Sequence, residues 1–221
     1  MRCFRMLAVV VGLALFPHSG SAQTSLPPGF QESAVLRGLQ VPTVVALAPD
    51  GRVFVAEKAG IIKVFASLDA APTVFADLRT EVNDYHDRGL LGMALDPAFP
   101  ARPYVYVLYT RDAAPGGAAP RWGQPNSDGD PCPDEINGCV VTGRLARLEA
   151  DGNAWTGRMD VLVDGWTQQY DSHSIGSLVF GPDGALYASG GGGDGASWQL
   201  VDCGTPIMSA SRGEAARPKG G

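Results

Sequence analysis

Hydrophobic residues along this chain come in short runs separated by turn residues, a pattern that predicts β-strands almost throughout. Segment Thr43–Phe65 reads as three strands joined by Pro-Asp-Gly and Lys-Ala-Gly turns. Segment Gly89–Asp112 repeats the plan around an Asp-Pro turn, and Gly143–Asn153 supplies a later strand and turn. Segment Ile175–Gly191 again gives a strand, a Pro-Asp-Gly turn and a strand. Since no stretch beyond the N-terminal segment shows helical periodicity, we predict an all-β chain.

The strand pattern also repeats along the chain. The segments Ala48–Phe54 and Gly181–Tyr187 have similar sequences around their Pro-Asp-Gly turns. Pro49 and Pro97 are 48 residues apart, close to the length of one propeller blade, and Pro97 and Pro182 are 85 apart. The longer spacing fits a blade that carries a long insertion. We therefore predict β-propeller blades, with a generic β-sandwich as the alternative.

The insertion is visible as Ala113–Cys139, which is rich in Pro, Gly and Asp and has no periodicity. Its last residues, "CPDEINGC", place Cys132 and Cys139 at the ends of a short polar loop. In an oxidising compartment these two cysteines would form a local disulfide, which stabilises by about 2–3 kcal/mol in the chain-entropy model. A zinc site is the alternative, although no C-x-x-C or nearby histidine supplies further ligands. Cys203 is left over.

The N-terminal segment has the layout of a secretory signal peptide. Two arginines precede an apolar run of about ten residues, and the segment closes on small residues up to Ala22. The apolar run is too short to span a bilayer, and a buried N-terminal helix is the alternative. We predict a signal peptide over 1–22, no membrane span in the remainder, and a secreted or periplasmic protein.

Composition adds limits on the partners. The chain is 45% hydrophobic and 18% charged, which supports a globular core, and its 29 glycines and 17 prolines favour a turn-rich β protein. Removal of the signal takes away two arginines, so the formal net charge moves from −6 to −8. An acidic exported chain with three lysines is a poor candidate for binding nucleic acid or an anionic membrane.

Two motifs that often indicate catalysis carry little weight here. Gly190, Gly192 and Gly195 satisfy G-x-G-x-x-G, but a dinucleotide site needs that string between a strand and a helix, and no βαβ unit is predicted. The string around Ser174 is His-Ser-Ile-Gly, and G-x-S-x-G is absent, so a hydrolase nucleophile elbow is not supported.

His173 is the remaining candidate for chemistry. It follows the polar run Thr167–Ser172 and precedes a predicted strand, so we expect it at the edge of a blade. A neutral imidazole, with an ordinary pKa of about 6.5, can act as a general base. From the residues alone, an exposed or hydrogen-bonded structural histidine is the more frequent interpretation. His86, in the charged turn "NDYHDRG", is a weaker candidate and reads equally as solvated surface.

Three strings together resemble the glucose/sorbosone dehydrogenase family. They are "APDGRVFVAEKAGIIKVF", "DRGLLGMALDPAF" (Asp87–Phe99) and "SHSIGSLVFGPDGALYASGGGGDGAS" (Ser172–Ser197). The resemblance runs from about Leu36 to about Pro206. It implies a secreted or periplasmic six-bladed β-propeller. Since a six-bladed propeller needs roughly twice this length, the chain is expected to be a truncated N-terminal portion, with about three blades over 23–206 and an unstructured tail over 207–221.

The resemblance also implies a site. His173 would be the general base on the anomeric hydroxyl of an aldose, Asp194 would orient that histidine, and Asp87 would lie on the substrate side. Pyrroloquinoline quinone would accept the hydride, and Ca²⁺, held by residues beyond the chain end, would polarise the quinone. The implied partners are a sugar and an external electron acceptor. Two alternatives remain open: a non-catalytic propeller that binds sugars or proteins, and an inactive fragment of the enzyme.

Overall fold

A computed structural model describes residues 26–134, 136 and 138–191, together with the backbone of 196–201 and 208–210. Residues 26–34 belong to a small unit in which the structure describes no regular element. A second unit begins at Val35 and carries all the strands. Within the described ranges every regular element is a β-strand, and no helix there could cross a membrane.

The strands form three four-stranded antiparallel sheets in which each strand pairs with the next along the chain. The first sheet contains β1 (Pro42–Leu47), β2 (Val53–Glu57), β3 (Ile61–Phe65) and β4 (Thr73–Asp77). The second contains β5 (Leu90–Leu95), β6 (Tyr104–Arg111), β7 (Val141–Asp151) and β8 (Ala154–Gln168). The third contains β9 (Ile175–Phe180), β10 (Leu186–Gly191), β11 (Ala196–Val201) and β12 (Met208–Ala210).

These sheets are propeller blades. The first strands of successive blades contact one another, β1 with β5 and β5 with β9, so the blades are arranged around the side that carries their first strands. Aromatic rings join each pair of neighbours: Phe54 of the first blade meets Phe99 at 5.6 Å, and Tyr106 of the second meets Phe180 at 5.2 Å, both edge to face. The predicted all-β fold and propeller architecture are confirmed.

The glycines of the "GLLG" string are the points at which the second blade touches both neighbours. Gly89 has φ +142°, and a Cβ there would lie 2.7 Å from the carbonyl oxygen of Lys58 in the first blade. A Cβ on Gly92 would lie 3.0 Å from the carbonyl oxygen of Gly176 in the third blade. Side chains at these positions would push the blades apart, because buried backbone cannot yield cheaply. The motif therefore sets the spacing between blades.

The predicted insertion lies between β6 and β7 and has no strand or helix among its described residues. The predicted disulfide joins Cys132 to Cys139, with their Cα atoms 5.6 Å apart. The start of the insertion is fixed by the buried carboxylate of Asp112, which accepts hydrogen bonds from the N–H groups of Arg121 and Trp122 at 2.7 and 2.9 Å. The loop is thus held at both ends.

Two predicted boundaries meet the structure only in part. The predicted signal peptide, 1–22, lies outside the described residues, as does Cys203. Strand β12 falls inside the segment predicted to be a tail, most of which lies outside the described residues. The polar run before His173 also begins within a strand, because β8 continues to Gln168, which is buried.

Candidate active site

The described candidates lie in two turns, each leading into the first strand of a blade. The first turn, 84–89, carries Asp87 and precedes β5, whereas the second turn, 169–174, carries His173 and precedes β9. Both residues are exposed. The expectation that His173 lies at a blade edge is met by its position between β8 and β9. Asp194 lies outside the described residues.

The two turns contact each other across the blade boundary. The backbone N–H of His173 donates to Asp87 Oδ2 at 3.4 Å, and the backbone N–H of Asp87 donates to the carbonyl of Asp171 at 3.1 Å. In the opposite direction, His86 Nδ1 lies 2.7 Å from Asp171 Oδ2. Asp87 therefore meets the main chain of His173, and each turn supplies a carboxylate to the other.

Both histidines have left-handed backbone conformations. The φ angle is 54° at His173 and 47° at His86. Such angles are uncommon in non-glycine residues, although histidine is among those enriched there. They cost about 1–3 kcal/mol each and persist only where the surroundings hold them, as at ligand-binding sites. The conformation turns the backbone sharply just before the first strand of the blade.

A buried hydrogen-bond network lies beneath His173. Ser174 Oγ donates to Gln168 Oε1 at 2.7 Å and lies 2.8 Å from Thr110 Oγ1. Gln168 Nε2 in turn donates to the carbonyl of Gly191 at 3.3 Å. All three polar side chains are buried, so their mutual bonding avoids the cost of unpaired polar groups. The network fixes the residue after His173 to strands of two blades.

The glycine run begins directly against His173. Gly191 donates its N–H to the carbonyl of Ser174 at 2.7 Å, and a Cβ at Gly191 would overlap the carbonyl oxygen of His173. At Gly190 a Cβ would lie 2.7 Å from the ring of Trp166. Two of the four glycines are therefore strand residues required by close packing. Residues 192–195 are outside the described chain.

Arg88 joins the two turns to the disulfide loop. Its side chain is fully buried, and Nη2 donates to the carbonyl of Cys139 at 2.6 Å and to that of Gln169 at 3.1 Å. Nε and Nη1 have no hydrogen-bond partner among the described residues. Burial lowers the pKa of Arg88 to about 10, opposed by the negative charges of Asp171 and Asp112. The guanidinium is therefore still a cation at neutral pH.

The first turn has a second support on the insertion. The carboxylate of Asp84 accepts hydrogen bonds from the N–H groups of Gly129 and Asp130 at 3.0 and 2.9 Å, and its carbonyl accepts from Lys58 Nζ. Asp130 is itself buried. Burial, followed by the charges of Asp112 and Asp84, raises the pKa of Asp130 to about 7. Protonation of Asp130 therefore changes the charge that acts on the Asp84 carboxylate.

A cavity of about 310 Å³ lies beside the first turn. Its lining combines charged and apolar groups: Gln40, Val41, Glu57, Lys58, Ala59, Ile61, Lys63, Asp84 and Asp128. The size and mixed lining suit a small polar ligand. Within the described ranges no group of three or more His, Cys, Asp or Glu side chains is arranged to hold a metal ion.

Sequence reasoning missed Arg88, Asp171 and the buried Thr110–Gln168–Ser174 network. Asp171 could have been found, because each turn places a histidine close to an aspartate: His86 and Asp87 in the first turn, and Asp171 and His173 in the second. Arg88 could not have been found in this way, since its partners are backbone carbonyls far along the chain.

Comparison with known proteins identifies the same region. The family model described as glucose/sorbosone dehydrogenase matches residues 39–199. Comparison with curated proteins gave no match.

Solved structures share the fold. A putative oxidoreductase (glucose dehydrogenase) from Thermus thermophilus is 28% identical, with a TM-score of 0.59, over 83% of this chain and 49% of that protein. The PQQ-bound form of aldose sugar dehydrogenase from Streptomyces coelicolor is 21% identical, with a TM-score of 0.58, over 79% of this chain and 52% of that protein. The chain thus spans about half the length of these structures.

Proposed function

This chain belongs to the glucose/sorbosone dehydrogenase family, and from that premise we propose that it is part of an exported quinoprotein that oxidises the anomeric hydroxyl of an aldose to a lactone. The observation that carries the proposal is the contact between the two turns. The family match spans both, and the His173 N–H meets the Asp87 carboxylate at 3.4 Å. The contact between these two exposed residues, singled out by separate strings, supports the assignment of both to one site.

In the proposed reaction His173 is the general base. Its exposed imidazole takes the proton of the anomeric hydroxyl as the C1 hydrogen leaves as hydride, so the substrate loses two electrons and two hydrogens in total. Asp87 lies on the substrate side, where a carboxylate can accept hydrogen bonds from sugar hydroxyls. The buried network under Ser174 holds the base in place while the proton moves.

Asp194 is proposed to orient the imidazole and stabilise the imidazolium that forms. The support is local: Gly191 lies against the His173 carbonyl, and Asp194 is three residues further on, within about 10 Å of extended chain. This role belongs to the proposal, because Asp194 is outside the described residues.

Pyrroloquinoline quinone is the proposed hydride acceptor, supported by the family and by the PQQ-bound Streptomyces relative. The described residues fit the substrate half of this chemistry, since the exposed residues His173 and Asp87 are in contact through the His173 backbone N–H. When bound, the quinone would supply the two-electron acceptor for the hydride, with an external acceptor reoxidising it. For Ca²⁺ the described residues supply no ligand set, so we assign none to it.

Export is proposed on two grounds, the signal-like segment 1–22 and the disulfide, which persists in oxidising compartments. A sugar substrate and an external electron acceptor are then the expected partners.

The test is an assay of the full-length protein with pyrroloquinoline quinone, Ca²⁺, a dye acceptor and a panel of aldoses. We expect lactone formation coupled to dye reduction, lost in His173→Ala. Sugar binding without turnover in the folded, cofactor-loaded protein would instead favour a non-catalytic propeller. No turnover and no sugar binding would overturn the proposal.

A further inference from the structure

Arg88 is unusual because it is a fully buried cation whose hydrogen bonds, within the described chain, go to backbone carbonyls. A buried arginine is ordinarily paired with a carboxylate, because removing its charge from water is costly. Here the opposing charges of Asp171 and Asp112 act on it from a distance. A residue kept under such conditions needs a reason beyond stability.

The bonds of Arg88 suggest that reason. One goes to Cys139, at the end of the disulfide loop, and the other goes to Gln169, at the start of the second turn. Its own backbone follows Asp87 in the first turn. One side chain thus holds together the three segments that surround the candidate site.

The packing of these segments leaves little freedom around the guanidinium. Gly138 has φ +80°, and a Cβ there would overlap the carbonyl oxygen of Gln169. The base of the disulfide loop therefore lies directly on the second turn. Cys139 and Gln169 accept from the same Nη2, so the guanidinium links the end of the loop to the segment that carries His173.

We propose that Arg88 is a positioning residue, which fixes the relative placement of Asp87 and His173 and couples both to the Cys132–Cys139 disulfide loop. The proposal rests on the proposed function for its consequence in catalysis, but the coupling itself is a property of the fold. Arg88 does not reach the exposed face, so it acts through the two turns.

The first experiment measures backbone hydrogen exchange in the full-length protein. In Arg88→Met we expect segments 84–89 and 169–174 to exchange at least about tenfold faster, with other blades unchanged. Arg88→Lys keeps the charge and a donor, so it should restore part of the protection. The matched control is Arg121→Met. Arg121 Nη1 also donates to a backbone carbonyl, that of Val140 directly after the disulfide loop, but this bond is exposed and does not involve the second turn.

A second arm tests the disulfide. Replacing both cysteines with serine, Cys132→Ser and Cys139→Ser, should speed exchange in 169–174 as well. Combined with Arg88→Met, the effect should be smaller than the product of the two separate effects, because both changes break the same link. Where Arg88→Met fails to fold, the cysteine variant alone still tests the link.

The kinetic readout separates positioning from simple loss of folded protein. Misplacing Asp87 should raise the KM for the sugar by about tenfold in Arg88→Lys, whereas partial unfolding lowers kcat and leaves KM unchanged. Exchange that is unchanged in both turns, or faster uniformly over the chain, would overturn the proposal. Faster exchange in the two turns of a protein that oxidises no sugar would uphold the coupling and reject the proposed function alone.

Discussion

The two turns that form the candidate site are built alike and held differently. Each has a histidine with a positive φ, each supplies an aspartate to the other, and each runs into the first strand of its blade. The first turn is held by a carboxylate, Asp84, which binds N–H groups of the insertion. The second is held by a cation, Arg88, which donates a hydrogen bond to the carbonyl of Gln169. Equivalent places in two blades can therefore respond to different conditions.

The two histidines also differ in their contacts. The imidazole of His86 is paired with Asp171 and stacked on Tyr85, with ring centroids 4.2 Å apart. At His173 it is the backbone N–H that donates a hydrogen bond to the Asp87 carboxylate. We interpret His86 as a structural member of the pair of turns and His173 as the member available for chemistry.

The largest expected effect is on turnover. His173→Gln should lower kcat by about 10²–10⁴-fold, the usual contribution of a general base, while His86→Gln should change it by less than about tenfold. Steady-state rates of both variants, with melting temperatures as the folding control, make the comparison. Equal losses in the two variants would erase the distinction between the turns.

A second prediction concerns the acidic support of the first turn. Since the folded pKa of Asp130 is about 7 and that of an unfolded aspartate about 3.9, the folded state holds this proton more tightly. Stability should therefore fall as pH rises from about 4 to about 7, by at most about 4 kcal/mol from this group, and level off above.

Urea unfolding at pH 5 and pH 8 measures the effect, with Asp130→Asn as the variant that should abolish this contribution. The exchange of the second turn should not follow the same pH dependence. A pH response shared equally by both turns would show that they are not supported separately.

A third prediction concerns close packing at the second turn. Gly191→Ala should destabilise by about 1–3 kcal/mol, because its Cβ would meet the backbone of His173. Gly176→Ala is the matched change: its Cβ would lie 2.5 Å from Ser189 Oγ, a side-chain end that can rotate. We expect a smaller loss there. Equal unfolding free energies for the two variants would contradict the role given to Gly191.

The smallest effect is expected at the exposed ion pair. His86→Asn removes the partner of Asp171 and leaves the Asp171 charge in place, and because the side chain of His86 is 62% exposed, the loss should be below about 1 kcal/mol. Thermal unfolding at low and high salt should show a difference only at low salt. A large loss at both would mean that the pairing of the turns is stronger than its exposure suggests.

The sequence predicted the features that depend on residues close together along the chain. Pro-Asp-Gly turns and alternating residues predict the hairpins β1–β2 and β9–β10, and two cysteines in a short loop predict the disulfide. It was silent on β4 and on most of β8, a strand of 15 residues interrupted by Gly157 and Gly165 at positive φ. In a sequence such glycines predict turns, although here they lie within a strand.

The candidate site was predicted in its residues but not in its assembly. His173 and Asp87 stand out through the motifs around them, whereas their contact arises from the packing of two blades. The roles of Arg88 and Gln168 could not be predicted, because both side chains donate to backbone carbonyls, which every residue has. Whether His173 and Asp194 act together stays a prediction.

The contact between Gly92 and Gly176 makes the two family strings depend on each other. A Cβ on Gly92 would meet the backbone of Gly176, so a larger residue in one blade has to be accommodated by the next. The strings "GLLG" and "HSIG" are then two halves of one packing contact between blades. Among related chains they should be lost or kept together, and grafting one blade without its neighbour should fail at this contact before it fails at the chemistry.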